Sequence, residues 1–393
     1  VMVDIDLFKA YDSVDRWVKE MALRRLGLDY EFIDYLLEFD RRNEQVVRTA
    51  YGDSAPFKSE RATVPQGGVE SCLVFVSVVD WMLACMRRYS TDPVRLQVGE
   101  GEYLTVDATV YADDVSLYQG SVAAAQHMVL GLELFCGLTG MRINAKKCRW
   151  TATREVPDVS ITARQWLSRP GWRAAAGDAI AFVRQPVGKY WTYLGMTQTA
   201  DNGIERLLAM VRTQAQDAAE ILARKRVSLE GLVYLSNSVL LPSALYRLKL
   251  SHATCEQIDH VQSPVRRVLA KKAGLTSAST DVLYGGYMGC GWKRWSDEVG
   301  IAKLQMLLTA WEETDTTFSK VMRGAVWKMQ SEVGARRELV LNSRYRHEHN
   351  PRVHETWLGQ LWRWMTRAEL QVRLDGPVSY THLTLPTTHL VLL

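Results

Sequence analysis

The chain is 393 residues long, 47% hydrophobic and 23% charged, which suits a globular protein of two or three domains and excludes a disordered or fibrous one. Lys plus Arg number 48 against 44 Asp plus Glu, so the net charge of +4 excludes a histone-like basic protein, and any nucleic-acid contact has to come from a localised basic surface. The six cysteines form no Cys-x-x-Cys and read as reduced intracellular thiols; with no run of about twenty apolar residues and no signal peptide, no membrane partner is expected.

Residues Val1–Leu7 alternate, with Val1, Val3, Ile5 and Leu7 on one face and Asp4 and Asp6 on the other, the period of a strand. A helix follows with Val14, Trp17, Val18, Met21 and Leu26 as its apolar stripe, Asp12 or Ser13 as cap and Gly27 as stop. A second helix, about Glu31–Arg42, carries Phe32, Tyr35, Leu36 and Phe39. Val46–Ala50 and Phe57–Val64 read as a hairpin leading into Pro65-Gln66-Gly67-Gly68, a tight loop where backbone approaches a ligand closely. Ser71 to about Arg88 is apolar nearly all round and is expected to be a buried helix.

Thr105–Val110 and Val115–Tyr118 are β-prone runs on either side of Ala112-Asp113-Asp114, a hairpin with an acidic tip. Adjacent carboxylates at a tip make sense where a hard cation neutralises them, and Mg²⁺ takes such ligands together with substrate phosphates. Taken alone, an Asp-Asp pair is more often a solvated turn, and the rest of the chain has to decide. A helix from about Ser121 to Gly137 comes next, then a strand expected to bear Lys146 and Lys147. Residues 153–188 read as an insertion or a loose hairpin, and Lys189–Gly195 as a short aromatic strand.

From about Gly203 the pattern is helical: Ile204–Lys225, Leu229–Leu248 broken at Pro242, Gln257–Ala273, Glu298–Trp311, Phe318–Gly334 and Thr356–Val372, with a loop over Tyr284–Trp295. Arg224, Lys225, Arg226, Arg266, Arg267, Lys271 and Lys272 are either a backbone-tracking surface or a solvated face. Trp357, Trp362 and Trp364 offer base-stacking rings, while Trp357, Leu361 and Met365 have the spacing of a core stripe. Arg344–His349 fits no standard metal spacing. From about Pro377 the composition turns Thr/Leu-rich, like a translated sequencing adaptor, and is excluded from the fold.

An acid-bearing strand, a Pro-Gln-Gly-Gly loop, an Asp-Asp hairpin and a Lys-Lys segment in this order meet the demand of phosphoryl transfer, in which two metals about 3.5–4 Å apart clamp attacking and leaving oxygens. The resemblance is then specific. Asp6-Leu7-Phe8-Lys9-Ala10-Tyr11-Asp12 resembles motif A of reverse transcriptases, Pro65–Gly68 motif B, Tyr111–Asp114 motif C, Gly140–Lys147 motif D, and Tyr193-Leu194-Gly195 motif E, the primer grip. The flavour is that of non-LTR (LINE-type) retrotransposon enzymes, and Leu229–Pro242 is similar to the start of their thumb.

The resemblance implies an α+β fold: a right-hand polymerase palm over 1–200 (antiparallel sheet with flanking helices), an α-helical thumb over 201–275, a helical C-terminal region over 276–376 and a non-native tail over 377–393. It implies RNA-directed DNA synthesis with two Mg²⁺, Mn²⁺ being the alternative, on an RNA template, a DNA primer and a dNTP, inside the cell in nucleus and cytoplasm. Asp6, Asp113 and Asp114 match the metal-binding, catalytic triad, with Asp4 the alternative on the first strand and Asp12 a helix cap. Tyr11 falls where a ring lies beneath the sugar, or is a plain core aromatic. Gln66 and Gly67 match the loop at the incoming nucleotide. Lys146 or Lys147 would face the leaving pyrophosphate, or stay solvated.

The family's usual Pro after the Ser of motif B is Cys72 here. Its fingers precede motif A and are not in this chain, so an interior fragment that does not polymerise alone is expected. A catalytically silent, reverse-transcriptase-like RNA-binding scaffold and a group II intron maturase remain as alternatives. The sequence leaves the oligomeric state open.

Overall fold

The computed structural model describes residues 1–42, 44, 46–58, 64, 68–156, 159–167, 175–275, 282–284, 290–313, 315–334, 356–370 and 372. Arg344–His349 and the segment from Pro377 onward lie outside them. Two compact units are formed, one from Val1–Arg95 and Thr105–Lys189, the other from Leu96–Leu104 and Tyr190–Leu393.

Up to Lys189 the elements are β1 (Met2–Ile5), a 3₁₀ turn (Tyr11–Ser13), α1 (Arg16–Arg25), α2 (Tyr30–Arg42), β2 (Arg48–Thr49), β3 (Gly52–Asp53), α3 (Ser71–Arg87), β4 (Val94–Gln97), β5 (Tyr103–Val106), β6 (Ala108–Tyr111), β7 (Asp114–Tyr118), α4 (Val122–Thr139), β8 (Arg149–Thr151), β9 (Thr162–Leu167), β10 (Ala175–Ala181) and β11 (Val183–Arg184). The main sheet has five strands in the order β11-β8-β1-β7-β6. β1 is central and antiparallel to both neighbours, and β11 joins β8 in parallel.

The alternation of the first seven residues decides which face of this sheet is dry. Val3, Ile5 and Leu7, with Val115 and Leu117 from β7, are buried in one core with Val18 and Leu23 of α1, Phe75 and Met82 of α3, and Met128 and Phe135 of α4. Each such side chain contributes about 1.5–3 kcal/mol relative to exposure. The opposite face carries Asp4, Asp6, Asp114 and Ser116. α4 starts at Ser121, whose hydroxyl accepts from Ala124 N–H at 3.2 Å, and stops at Gly140 in the left-handed region (φ +77°). By length and composition α4 is apolar enough to cross a membrane. Its fully buried Met128, Val129 and Leu132 and its contacts with α3 and β9 are those of a core helix.

The start of α1 is Asp15 rather than Asp12 or Ser13, because Tyr11–Ser13 tightens into a 3₁₀ turn in which the Ser13 hydroxyl bonds Ala10 O at 2.9 Å. Trp17, Met21 and Leu26 are about half exposed, and the buried stripe of α1 is Val18, Ala22 and Leu23. On α2 the buried side chains are Ile33 and Leu37, while Phe32, Tyr35 and Phe39 face out. α3 is not buried all round, since Leu73 and Val76 are exposed. Lys146 and Lys147 lie on a turn ahead of β8, not on a strand: the N–H groups of Lys147 and Cys148 close onto Asn144 O at 2.8 and 3.1 Å. The region 153–188 contains a hairpin, β9 with β10, tied to α4 by paired bonds between the Gln126 amide and the backbone of Thr162 (2.9 and 2.7 Å).

The remaining elements are β12 (Trp191–Tyr193), β13 (Met196–Gln198), α5 (Glu205–Arg224), α6 (Leu229–Leu235), a π-helical turn (Ser236–Leu240), α7 (Leu241–Leu248), α8 (Cys255–Lys272), α9 (Trp295–Glu312), α10 (Thr317–Val333) and α11 (Trp357–Arg367). The break expected at Pro242 does not occur. The π turn widens the helix just before the proline, which then occupies the first turn of α7, where its missing N–H costs little. α5 and α8 pack in parallel: Arg212 Nη1 donates to His260 O at 2.8 Å, and thirteen and twelve residues further on Lys272 Nζ donates to Lys225 O at 2.6 Å. A capping box formed by Thr254 and Gln257 starts α8.

Trp362 and Trp364 are buried with Leu361 and Met365, so these two rings serve the core and not base stacking. The Trp364 ring occupies the place where a Cβ on Gly300 of α9 would sit, so only glycine allows α11 its approach. Lys303 on the same helix is 2% exposed, and burial lowers its ammonium to about 8. The Trp357 ring centroid lies 5.6 Å from its Nζ. A lysine whose folded pKa is depressed penalises the fold at neutral pH and releases that penalty as pH rises from about 8 to its ordinary 10.5. The difference corresponds to about 3 kcal/mol, against which the cation–π contact is worth about 1–2. Lys303→Met is therefore expected to raise stability at pH 7 by about 1–2 kcal/mol and to flatten the alkaline rise. Denaturation at pH 7 and pH 10 checks this, and a destabilised variant would refute it.

Candidate active site

The hairpin β6–β7 pairs Tyr111 with Asp114, leaving Ala112 and Asp113 as a two-residue loop. Ala112 has φ +51° and Asp113 does not share a positive φ, the pattern of a type II′ turn, which normally has glycine first. Holding alanine there costs about 1–3 kcal/mol, a cost found mostly where a loop is over-determined by a site. The loop leaves both Asp113 and Asp114 exposed.

β1 lies beside β7 with Ile5 opposite Val115, and that register carries on to set Asp6 across from Asp114. Asp114 senses the other two carboxylates. The Asp114 carboxyl is held above its ordinary value, first by burial and then by the negative charges of Asp113 and Asp6. Two residues behind Asp6, Asp4 accepts the Ser116 hydroxyl at 2.6 Å. Burial raises its carboxyl, while Ser116 and Arg149 oppose the rise and Asp114 adds to it. Asp4 is thus spent on a cross-strand hydrogen bond, whereas Asp6 keeps a side chain that is 39% exposed.

Lys147 Nζ stands 3.8 Å from Asp6 Oδ2, so of the two lysines Lys147 is the one that reaches the acid, while Lys146 is exposed. Tyr11 stacks on Phe75 of α3 with ring centroids 4.1 Å apart and planes at 18°. Its hydroxyl is raised by burial and then by the neighbouring Cys72 and Asp113. Asp12 is exposed and lies in the 3₁₀ turn. Gln66 and Gly67 lie outside the described residues. Tyr193, Leu194 and Gly195 form a tight turn of the second unit, with Leu194 at φ +48° and Gly195 at φ +73°. α7 holds it: Tyr246 Oη donates to Leu194 O at 2.7 Å and Arg247 Nε to Gly195 O at 3.3 Å.

Among the described residues no group of three or more His, Cys, Asp or Glu forms a ready-made metal cage. The donors of Asp6, Asp113 and Asp114 are all carboxylate oxygens, close enough to raise Asp114 and open to solvent. Such a set fits a hard divalent cation that completes its shell with water and substrate phosphate. Two contributors escape a reading of the sequence. Phe75 looks like any core aromatic of α3. Cys148, 142 residues from Asp6, accepts the Asp6 N–H at 3.4 Å, and no spacing marks it. Burial pushes the Cys148 thiol up to about 12.

Comparison with known proteins bears on this site. The family model for reverse transcriptase (RNA-dependent DNA polymerase) matches residues 1–197. The chain is 27% identical over 146 residues to the retrovirus-related Pol polyprotein from type-1 retrotransposable element R2 of Popillia japonica. That match takes in 37% of this chain and spans 20% of the length of the relative. Among solved structures, telomerase from Candida albicans in complex with a fragment of telomeric RNA aligns over 82% of this chain and 49% of its own, at 14% identity and a TM-score of 0.30.

Proposed function

Because the chain belongs to the reverse transcriptase family, we propose that it contributes the catalytic palm of an RNA-directed DNA polymerase of the non-LTR retrotransposon type. The observation that carries this is the meeting of Asp6 with the Asp113-Asp114 tip across adjacent strands. In this reading the five-stranded sheet is the palm and the helices from α5 to α8 are the thumb. The substrates are an RNA template, a DNA primer and a dNTP.

Asp6, Asp113 and Asp114 would hold the divalent ions, two Mg²⁺ in the preferred assignment. Bound there, such ions supply Lewis-acid stabilisation of charge on the reacting phosphate. The protein's own groups do the rest. The primer 3′-oxygen forms a bond to the α-phosphorus of the dNTP, the bond to pyrophosphate breaks, and the hydroxyl proton leaves to solvent. Lys147 brings positive charge beside Asp6. Tyr11, backed by Phe75, presents its ring as a wall beside the sugar. The turn at Tyr193–Gly195, fixed by Tyr246 and Arg247, would grip the primer. Arg224, Lys225, Arg226, Arg267 and Lys271, all exposed, would follow its phosphates in a salt-dependent way.

Primer extension on an RNA template by the full-length parent protein tests the reading. Tyr11→Ala is expected to raise ribonucleotide incorporation relative to deoxyribonucleotide by roughly fivefold or more, the low end of the 1–3 kcal/mol cost of forcing an extra atom against a packed wall. Unchanged discrimination would remove Tyr11 from this role. Absence of any templated synthesis by the parent would overturn the function itself.

A further inference from the structure

We propose that Cys148 is a positioning residue for Asp6, its thiol fixing the backbone from which the first-strand carboxylate is aimed. The proposal rests on the reading of Asp6 as an ion-holding group.

The reason lies in how the sheet ends. β8 pairs with β1 only from Met2 to Asp4, with Asp4 opposite Arg149. One step further the ladder would need an extended partner for Asp6, but there the chain turns through Asn144–Lys147. Both backbone groups of Asp6 nevertheless point to that side. Its carbonyl accepts Asn144 N–H at 2.8 Å. Its N–H donates to Cys148 Sγ at 3.4 Å, and the Cys148 S–H donates back to Asp6 O at 3.7 Å. The thiol thus stands in for the missing strand residue. Next along the chain, Leu7 bridges Ile143, and Phe8 N–H donates to Arg142 O at 2.9 Å. The grip therefore runs from Asp6 to Phe8, and Cys148 sits at the end nearest the carboxylate.

A purely apolar role, the ordinary one for a buried cysteine, needs no hydrogen bond at all. An unpaired buried N–H costs free energy comparable to a lost hydrogen bond. Without the thiol, the Asp6 peptide would turn towards another partner and take its carboxylate with it. Outer partners of this kind typically alter metal affinity by about 10–100-fold when removed.

The test uses the 393-residue chain with Mn²⁺ as probe, bound and free ion being distinguished by electron paramagnetic resonance, and hydrogen exchange at the Asp6 amide as a second readout. Cys148→Val keeps the site apolar, adds about one methyl group of bulk and removes both bonds. It is expected to weaken Mn²⁺ uptake by about 10–100-fold and to speed exchange at Asp6, with the circular dichroism unchanged. Cys148→Ser is expected to restore both. If the valine variant loses the sheet, Cys148→Ala takes its place in the same comparison. Wild-type uptake and exchange in the apolar variant, with Asp6→Asn losing Mn²⁺, would overturn the positioning role alone. If Asp6→Asn also leaves uptake unchanged, the ion-holding reading of Asp6 falls and the positioning role falls with it.

Discussion

Asp113→Asn in the full-length parent protein is expected to abolish templated primer extension, by about a thousandfold or more, while leaving the fold intact. Asparagine keeps the shape of the side chain and removes its charge. Asp113 is exposed at the tip of the β6–β7 loop, so its contribution to stability is expected to stay within about 0.5 kcal/mol. On the proposed reading, what is lost is a ligand for the ions, and with it several kcal/mol of charge stabilisation on the reacting phosphate, each 1.4 kcal/mol being about tenfold in rate. A second consequence follows from the electrostatics. Asp113 is one of the two charges that hold the Asp114 carboxyl above its ordinary value, so in the variant Asp114 should titrate lower. An NMR titration of Asp114 in the 393-residue chain reads this without any activity. Normal extension by the variant would show that the hairpin is no more than a strained turn.

How much of this was legible in the residues depends on the range of the cause. The period-two pattern of Val1–Leu7 is local, and it correctly places Val3, Ile5 and Leu7 in the core and Asp4 and Asp6 on the other face. The hairpin around Asp113 is equally local, as is the glycine stop at Gly27, at positive φ, whereas α4 runs past the expected end at Gly137 and stops at Gly140. The choice between Asp4 and Asp6 is different. Both lie on one face of β1, and only the cross-strand neighbour Ser116 shows that Asp4 already has a partner. The lysine pair was misplaced because the carbonyl of Asn144 gathers two N–H groups and turns the chain before β8 can begin.

α2 shows the limit most clearly. Phe32, Tyr35, Leu36 and Phe39 make a helical stripe, and so do Ile33, Leu37 and Asp40. The first is the more apolar, yet the second faces in. Burial alone would favour the aromatics. The inward stripe meets a contact from α1, where Lys19 is buried and its ammonium needs a carboxylate. Asp40 supplies it, and the stripe that contains Asp40 turns inward with it. No periodicity within α2 encodes that choice.

The same contact gives the largest expected effect on stability. Lys19 Nζ and Asp40 Oδ2 are 2.7 Å apart, with side chains only 1% and 5% exposed. Burial raises the Asp40 carboxyl above its ordinary 3.8, although Lys19 and Arg16 pull the other way, so desolvation outweighs attraction at this pair. Lys19→Ala leaves a buried carboxylate without its hydrogen-bonded partner, only the more distant charge of Arg16 remaining, and is expected to cost about 3–5 kcal/mol at pH 7. The sign with pH follows from the raised value. A carboxyl that binds its proton more tightly in the folded state penalises the fold above its folded pKa and ceases to do so below 3.8, so the deficit should shrink on acidification through that window. Lys19→Met with Asp40→Leu removes both charges and fills their space. That pair is expected to be neutral or more stable by about 1–4 kcal/mol. Hydrogen exchange at α1 amides, with and without urea, measures each case in the unit concerned. A single variant that loses less than about 1 kcal/mol, the range of an exposed pair, would mean that water reaches Asp40 and that the orientation of α2 has another cause.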